Sequence, residues 1–383
     1  MYSVEKLKAP NPYKRFDYIL FILVLALSTI GIFVLNSAVK IRTNSGPGIM
    51  KSQVLAIIMG IALCLIISAI DYKDFKVFSL FIYFGAMGLM VMVLFFGIEQ
   101  SGNKNWINIA GFSLQPSEFA KIAYIILASV FLERIKDSQE KNKWDIIKFI
   151  VYSCIAIGFV LLQKDLGTAL VFMFIFLTFI YIVGIPYRYI FILCGGLMLS
   201  LPFIWLYVLN DARKERILTF IFPEKDPLGG GYHVMISKMA IGSGKLFGQG
   251  YGNGIQTQSG SVPVNESDFI FSVIGEELGF IGGMIIIIIG LFIIIRCISI
   301  AKNASDSYGS FLVVGVTAML AFNFIENIGM SIGLLPITGL PLPFVSQGGT
   351  AMLAYYIAIG LVLSVSLRRK RSKFNSKQSK ANL

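Results

Sequence analysis

The chain has 383 residues, of which 56% are hydrophobic and 14% are charged, and its mean hydropathy is +0.76. A water-soluble globule of this size does not have such a composition, which is typical of a polytopic membrane protein. The formal net charge of +12 would suggest nucleic-acid binding in a soluble protein, but in a membrane protein the placement of basic residues first reports topology.

The apolar stretches predict an all-α protein with ten transmembrane helices. In chain order, the predicted spans are 18–38, 52–70, 77–97, 116–132, 146–162, 166–184, 189–209, 269–295, 308–333 and 346–367. The first is long for the apolar region of a signal peptide and lacks a convincing cleavage site, so we predict that it is retained. A β-barrel would show weak alternation in segments of about ten residues.

Basic residues set the predicted orientation. With ten spans both termini lie on one side, where loops and tails carry 20 Lys and Arg residues, against 5 in the short loops opposite. We therefore predict that the segment 1–17 and the basic tail 368–383 are cytoplasmic and that the large loop 210–267 is extracellular. The tail is interpreted as solvated at an anionic lipid leaflet and not as a nucleic-acid site. The whole chain, 1–383, is predicted to form one transmembrane domain.

Cysteine and histidine usage argues against several kinds of site. The four cysteines lie within or at the edge of apolar spans without a CxxC pair, so we predict packing residues and no zinc or disulfide framework. The single histidine, His233, argues against a His-rich metal site and is interpreted as an interfacial polar residue. The lack of a GxxxxGK[ST] motif argues against an ATP-driven transporter in this chain.

Charged residues within spans cost at least ~2.5–3.5 kcal/mol each and are candidates for function. Those within or beside spans are Glu118, Lys121, Asp165, Asp268, Glu276, Glu277 and Glu326. Glu118 and Lys121 are three residues apart and share a helix face. Either they form an ion pair that satisfies itself inside the bundle, or Lys121 binds an anionic substrate while Glu118 orients it. Spacing alone favours the first, because buried charges usually pair.

Asp165 and Asp268 each precede an apolar helix, which is the usual position of a helix cap. For Asp165, in a tight reversal between spans five and six, capping is the favoured interpretation. Asp268 differs, because Ser272, Gly275 and Gly279 follow it on nearly the same helix face, and small residues let other helices approach. A carboxylate there would lie at a cleft with apolar walls, the setting of a general base. Spacing alone favours a cap, with catalysis as the alternative.

Three further segments are informative. "YHVMISKMAIGSG" in the large loop predicts a short amphipathic helix at the membrane interface. Glu276 and Glu277 are predicted to hold neighbouring helices or this loop in place.

The segment 327–350 breaks helix periodicity with three prolines and several glycines, and such backbone is tolerated at membrane depth against protein or a watery cavity. Ser346, Gln347 and the two following glycines predict a helix start with free amides, which suits a phosphate group, although a plain re-entrant turn would look the same.

Five ordered blocks resemble the signature blocks of the SEDS family, which includes the rod-shape protein RodA, the division protein FtsW and the sporulation protein SpoVE. The blocks are "GNKNWINIAGFSLQPSEFAKI", "QKDLGTAL", "FPEKDPLGGGYHVMISKMAIGSGKLFGQG", "ESDFIFSVIGEELGFIGG" and "NIGMSIGLLPITGLPLPFVSQGGTAML". The resemblance runs from the first span to the tenth, and the block in the large loop is closer to the rod-shape members.

The resemblance implies a peptidoglycan glycosyltransferase of the bacterial cytoplasmic membrane. Such an enzyme polymerises lipid II, a lipid-linked disaccharide-pentapeptide, at the outer face of the membrane, here for cell elongation and rod shape. The partners it implies are a class B penicillin-binding protein that makes the crosslinks, other elongation-complex membrane proteins and the lipid bilayer, with no nucleic acid. The family's essential aspartate corresponds to Asp268, the expected general base on the acceptor sugar's 4-hydroxyl.

The other expected site residues follow from the same resemblance. The leaving diphosphate needs a cation, for which Lys121 is the expected residue, together with Lys238 or Lys245. Further substrate-binding residues are expected at Glu118, Trp106, Asp165, Ser346 and Gln347, and supporting residues at Gln115, Ser117, Glu276 and Glu277. No cofactor is required by this scheme. A divalent metal ion is an open addition to it, since no ligand cluster in the sequence argues for one.

Three of these blocks depart from the family pattern. Asn105 stands where an arginine usually precedes the tryptophan, Glu266 and Ser267 replace the usual His/Gln-Thr before the aspartate, and Lys164 replaces the proline before "DLGT". These leave the fine substrate contacts open, though not the base.

A lipid II flippase or a non-catalytic scaffold for a cell-wall synthase is the alternative function, and a division or sporulation role is the alternative within the family. Broken helices and charges at membrane depth are compatible with transport. The concentration of polar groups at one face, without paired discontinuous segments, argues against it.

Overall fold

A computed structural model describes residues 15–40, 46–100, 103–109, 112–138, 143–184, 230–262 and 264–369, with residues 195, 206 and 214. Its elements are α1 (Tyr18–Ala38), α2 (Gly46–Ala69), α3 (Tyr72–Val77), α4 (Ser79–Phe96), β1 (Ile98–Gln100), β2 (Asn103–Ile109), β3 (Phe112–Leu114), α5 (Pro116–Asp137), α6 (Lys143–Leu162), α7 (Leu166–Val183), α8 (Gly230–Ser243), α9 (Ile255–Gln258), α10 (Ile270–Lys302), α11 (Ser307–Ser331) and α12 (Gly349–Leu367).

The helical membrane architecture is confirmed. Within the described ranges, eight helices are long and apolar enough to cross a membrane: α1, α2, α4, α6, α7, α10, α11 and α12. They coincide with eight of the predicted spans. The fourth predicted span corresponds to α5, which has 22 residues and is not among those eight. The seventh, 189–209, falls outside the described residues except for 195 and 206, so the count of ten stays a prediction.

Helices α5 and α12 form the centre of the bundle. Most residues of α5 are buried, and it packs against α4, α6 and α11. Helix α12 packs closely along α2 because glycines remove side chains from the contact. A β-carbon at Gly60 would lie 2.5 Å from the Tyr356 ring, and one at Gly360 would lie 2.9 Å from the Cys64 carbonyl oxygen. The central helices are therefore fixed by backbone proximity as well as by apolar burial.

A small antiparallel sheet joins α4 to α5, and the all-α prediction omits it. Strand β2 pairs with β1, with Ile98 opposite Trp106, and with β3, with Ile107 opposite Leu114. The outer strands have three residues each, too short to show an alternating pattern in the sequence. These strands form because the chain reverses twice and pairs with itself, and the pattern within one short strand does not predict such pairing.

Helix α10 is not the single straight helix that the sequence predicts. It is kinked at Gly279, whose φ of 67° and ψ of −167° are non-helical. The loop before α9 lies in the kink, where Gln249 N donates to Glu276 O at 2.9 Å and Phe280 N donates to Lys245 O at 2.8 Å. Backbone groups freed by the kink are thus satisfied by this loop, as buried polar groups require.

Alanine at Gly279 is expected to destabilise the protein by about 1–3 kcal/mol, because a non-glycine residue is strained at this φ. Its β-carbon would also lie 2.6 Å from the Leu246 carbonyl oxygen. Thermal unfolding in detergent measures the change. The matched control is Gly242→Ala on α8, where a β-carbon meets nothing within 4 Å. Equal unfolding temperatures for the two variants would contradict the prediction.

Candidate active site

Asp268 lies two residues before α10 and is not its N-cap residue. The helix begins at Ile270, and the preceding residue, Phe269, makes no side-chain capping bond. Asp268 is half-buried, and its Oδ1 accepts a hydrogen bond from Ser267 Oγ at 2.9 Å. The capping interpretation is therefore wrong for this residue, because the chain turns into the helix one residue later.

Asn327 on α11 fixes the backbone of Asp268. Its Nδ2 donates to the Asp268 carbonyl oxygen at 2.9 Å and to the Leu340 carbonyl oxygen at 2.8 Å. One buried amide thereby joins the start of α10 to the segment between α11 and α12. Gly339 in that segment has a φ of 78°, and a β-carbon there would lie 3.5 Å from Asp268 Oδ2. The carboxylate consequently lies beside the Gly339 backbone.

The segment between α11 and α12 is irregular, as predicted, and Ser346 organises its end. Ser346 Oγ donates to the Ser267 carbonyl oxygen at 2.6 Å and accepts from Leu342 N at 2.9 Å. Gln53 on α2 adds a contact, since its Nε2 donates to the Ser346 carbonyl oxygen at 3.1 Å. Ser346 and Gln53 therefore support the residue next to Asp268.

The expectation of free amides at the start of α12 is wrong for three of the four residues concerned, the first being Ser346, whose N donates to the Leu342 carbonyl oxygen at 3.0 Å. Gln347 N donates to the Glu266 carbonyl oxygen at 2.9 Å, and Gly348 N donates to Gln53 Oε1 at 3.1 Å. Packing against α2 and the residues before α10 satisfies these donors, so they cannot bind a phosphate without losing their partners. Gln347 thus takes part in holding the site together through its backbone.

Asp165 is the cap of α7 and also a centre of side-chain contacts. It accepts from Thr168 N and Thr168 Oγ1, each at 3.0 Å, from Asn105 Nδ2 at 3.0 Å and from Gln115 Nε2 at 3.3 Å. Asn105, which departs from the family pattern, therefore ties β2 to α7. Gly167, two residues after Asp165, lies against the segment between α11 and α12, since a β-carbon at Gly167 would lie 2.8 Å from the Thr338 carbonyl oxygen. The "DLGT" block is thereby brought to the segment that carries Gly339.

Glu118 and Lys121 form the self-contained ion pair. Lys121 Nζ lies 2.7 Å from Glu118 Oε1, and the two side chains are 0% and 2% exposed. Lys121 is therefore buried and paired in the described structure, and its binding of an anionic substrate stays a prediction. Ser117, beside Glu118, is also buried, and its hydroxyl has no hydrogen-bond partner among the described residues.

Three other predicted residues are partly or fully exposed. Trp106 is half-buried on β2, and no described contact brings it to Asp268. Lys238 is exposed on α8, so the prediction of a short helix in this segment is confirmed. Its side chain lies directly over Gly333 at the end of α11, since a β-carbon there would lie 2.5 Å from Lys238 Nζ. Lys245 is exposed, with a φ of 51°.

Glu276 and Glu277 hold the loop before α10, as predicted. Glu276 accepts from Gln256 N at 2.7 Å and from Thr257 N at 2.8 Å, so it anchors α9. Glu277 Oε1 accepts from Ser37 Oγ at 2.6 Å and from Gln258 Nε2 at 3.1 Å, so it joins α9 to α1. Both carboxylates are buried and occupied by these donors.

A cavity of about 620 Å³ lies between the end of α1 and the start of α2. Lys40, Met50 and Tyr251 line it, together with Ser37, the partner of Glu277. Asp268 is not among its lining residues. The cleft that the sequence predicts beside Asp268 therefore stays a prediction.

No grouping of three or more His, Cys, Asp or Glu side chains suited to a metal ion occurs within the described ranges. The Asp268 surroundings supply amide, hydroxyl and carbonyl groups that already bond to each other. A divalent metal ion therefore stays an open addition to the scheme.

Sequence reasoning misses three residues that shape this site: Asn327, Thr338 and Gln53. Asn327 and Thr338 lie inside a block that the family resemblance includes, but their partners are remote in sequence. The only local signal is their polarity in an apolar segment, which predicts a buried hydrogen bond without naming the partner.

Comparisons with known proteins agree along nearly the whole chain. The family model for FtsW, RodA and SpoVE, described as "Cell cycle protein", matches residues 17–371. A probable peptidoglycan glycosyltransferase FtsW of Trichlorobacter lovleyi is 36% identical over 98% of this chain and 100% of its own length. The peptidoglycan glycosyltransferase RodA of Treponema pallidum is 32% identical over 92% of this chain and 98% of its own length.

A solved structure gives the same result for the fold. A chain from a peptidoglycan synthase complex, described as coordinating polymerization and crosslinking, superposes with a TM-score of 0.79 at 26% identity. The match covers 93% of this chain and 99% of that chain. Relatives named FtsW and RodA are similar to this chain to comparable degrees, so the closer likeness to rod-shape members stays a prediction.

Proposed function

The chain belongs to the FtsW, RodA and SpoVE family and is a peptidoglycan glycosyltransferase, and we propose that it polymerises lipid II into β(1→4) glycan strands with Asp268 as general base. The observation that carries this proposal is the position of Asp268. Its carboxylate is half-buried outside the helix cap, and its backbone is held by Asn327. A base needs a fixed position and a lone pair available to substrate, and this arrangement supplies the fixed position.

The proposed reaction is a displacement at the donor's anomeric carbon. Asp268 takes the proton of the acceptor sugar's 4-hydroxyl, and the oxygen attacks the anomeric carbon. The bond from that carbon to the diphosphate breaks with inversion, from an α-linked diphosphate to a β(1→4) glycosidic bond. The leaving group, undecaprenyl diphosphate, departs with the bonding electron pair, and its lipid remains in the bilayer.

Lys238 is the proposed cation for the leaving diphosphate. Of the three lysines that the resemblance suggests, Lys121 is buried and paired, whereas Lys238 and Lys245 are exposed. Lys238 also lies over Gly333, at the start of the segment that carries Gly339. An ammonium there would act where negative charge develops on the leaving group.

Methionine at Lys238 is expected to lower turnover by about 10-fold, less than for a fully enclosed donor, because an exposed charge is partly screened by solvent. Abundance is expected to stay at the parent level. Lys302→Met, the same change at an exposed lysine at the far end of α10, is the control. Glycan formation per molecule measures the effect, and equal rates for the two variants would count against Lys238.

We place the enzyme in the bacterial cytoplasmic membrane with both termini in the cytoplasm and Asp268 at the outer face. The charge distribution of 20 basic residues against 5 supports this orientation. A class B penicillin-binding protein is the proposed partner, supported by the likeness to a chain of a complex described as coordinating polymerization and crosslinking. Cell elongation is the proposed role, with division or sporulation as the alternatives within the family.

The test uses the purified chain with a class B penicillin-binding protein in lipid vesicles that contain lipid II. Formation of glycan strands, resolved by gel electrophoresis, is the expected result. Movement of lipid II across the bilayer without glycan would instead support the flippase, and neither activity in the presence of the partner would support a scaffold. Either of these two outcomes would reject the polymerase.

A further inference from the structure

Glu326 is a buried carboxyl group that the proposed reaction does not use. It lies on α11 and is 2% exposed, and its Oε1 accepts a hydrogen bond from Thr338 Oγ1. Its Oε2 is buried and has no hydrogen-bond partner among the described residues. A carboxyl group within a membrane helix is costly to bury, so Glu326 is a candidate functional residue.

Glu326 and its neighbour Asn327 hold the same segment at two points. Glu326 binds the hydroxyl of Thr338, and Asn327 Nδ2 binds the Leu340 carbonyl oxygen at 2.8 Å. Gly339 lies between these two contacts and faces Asp268 Oδ2. Asn327 also holds the Asp268 backbone. The residues 338–340 and the carboxylate are therefore placed relative to each other by two adjacent side chains of one helix.

Helix α7 closes the other side of this arrangement. A β-carbon at Gly167 would lie 2.8 Å from the Thr338 carbonyl oxygen and 3.0 Å from Thr338 Cβ, so the threonine backbone lies directly on α7. Thr338 has little room to move toward α7, and its hydroxyl is held by Glu326.

We propose that Glu326 is a positioning residue for the general base, acting through Thr338 to fix Gly339 against the Asp268 carboxylate. This inference rests on the proposed function. Glu326 does not touch the substrate. It keeps the 338–340 backbone where Asp268 Oδ2 can meet the acceptor hydroxyl, and a misplacement of about 1 Å at a reacting group can cost ~10²-fold in rate.

The test breaks the Glu326–Thr338 contact from each side. Glu326→Leu and Thr338→Val are each expected to lower kcat by about 10- to 100-fold, while KM for lipid II stays within about twofold of the parent. The double variant is expected to be no slower than the slower single variant, because both changes remove one contact. Glu326→Gln and Thr338→Ser retain the hydrogen bond and are expected to recover most of the rate.

Unfolding temperature in detergent, measured on the same samples, separates positioning from stability. The inference is supported if kcat falls while the unfolding temperatures of the variants match the parent. It is overturned if the single variants keep the parent rate, if their losses multiply in the double variant, or if each loss follows a lowered unfolding temperature.

Failure of the proposed function gives a different pattern. A parent protein that forms no glycan, or an Asp268→Asn variant that keeps the parent rate, would overturn both statements. A parent that polymerises, an inactive Asp268→Asn variant and a fully active Glu326→Leu variant would overturn only the role of Glu326.

Discussion

Asparagine at Asp268 is expected to lower the rate of glycan formation from lipid II by about 10²–10⁴-fold, the contribution typical of a general base. The substitution keeps the shape of the side chain and an oxygen that can accept from Ser267 Oγ, which lies 2.9 Å from Oδ1. An amide cannot take the proton of the acceptor hydroxyl. The loss should therefore be in turnover, with protein abundance and lipid II binding close to the parent values.

Asp306 supplies the matched control. It is also an aspartate before an apolar helix, and its Oδ1 accepts from Gly309 N at 2.8 Å as the cap of α11. Asparagine caps helices about as well as aspartate, so Asp306→Asn should retain glycan formation. Rates are measured with equal amounts of folded protein and the same partner. An Asp268→Asn variant as active as the control would reject the proposed base.

Asp165 and Asp268 show how far sequence reasoning reaches in this protein. Both stand before apolar helices, and local spacing suggests a cap for each. Asp165 is a cap, with Thr168 N donating to its Oδ1. Asp268 is not, and its backbone is instead held by Asn327, 59 residues later in the chain. Local pattern therefore identifies both candidates, but it reveals neither where the helix begins nor the remote contact to Asn327.

The difference between local pattern and remote contact also explains why the spans are predicted and other features of the fold are not. Bilayer thickness requires about 20 apolar residues per helix, a signal that lies within one segment. The kink at Gly279 depends on a loop of residues 245–250 that packs into it, and the sheet beside α5 depends on pairing across two reversals. Neither is encoded by the periodicity of a single element.

Lys121 illustrates the limit for a charged residue. The three-residue spacing to Glu118 predicts an ion pair, and the pair is present. Complete burial of the ammonium is a property of the surrounding helices and not of that spacing. The resemblance to a family with a diphosphate leaving group suggests that Lys121 binds the diphosphate. In the structure, the Lys121 ammonium is instead paired with the Glu118 carboxylate.

Methionine at Lys121 is accordingly expected to reduce the amount of folded protein, with a loss of about 3–5 kcal/mol in stability, because it leaves the Glu118 carboxylate buried without its partner. Glu118 Oε2 already has no hydrogen-bond partner among the described residues, so after the change neither oxygen keeps a charged donor. Total glycan formation should fall in proportion to abundance, and turnover per folded molecule should remain near the parent value. Protein level in membranes and unfolding temperature in detergent measure the effect.

The double variant Glu118→Gln with Lys121→Met distinguishes burial from catalysis. Removing both charges removes the unpaired carboxylate, and replacing a buried ion pair by neutral groups is often tolerated. Abundance should therefore recover relative to Lys121→Met alone, together with total activity. If Lys121 instead binds the diphosphate during turnover, abundance would stay high in the single variant while turnover fell, and neutralising Glu118 would not restore it. Parent-level turnover per folded molecule in a protein without the ammonium would thus leave the exposed Lys238 as the better candidate for the leaving group.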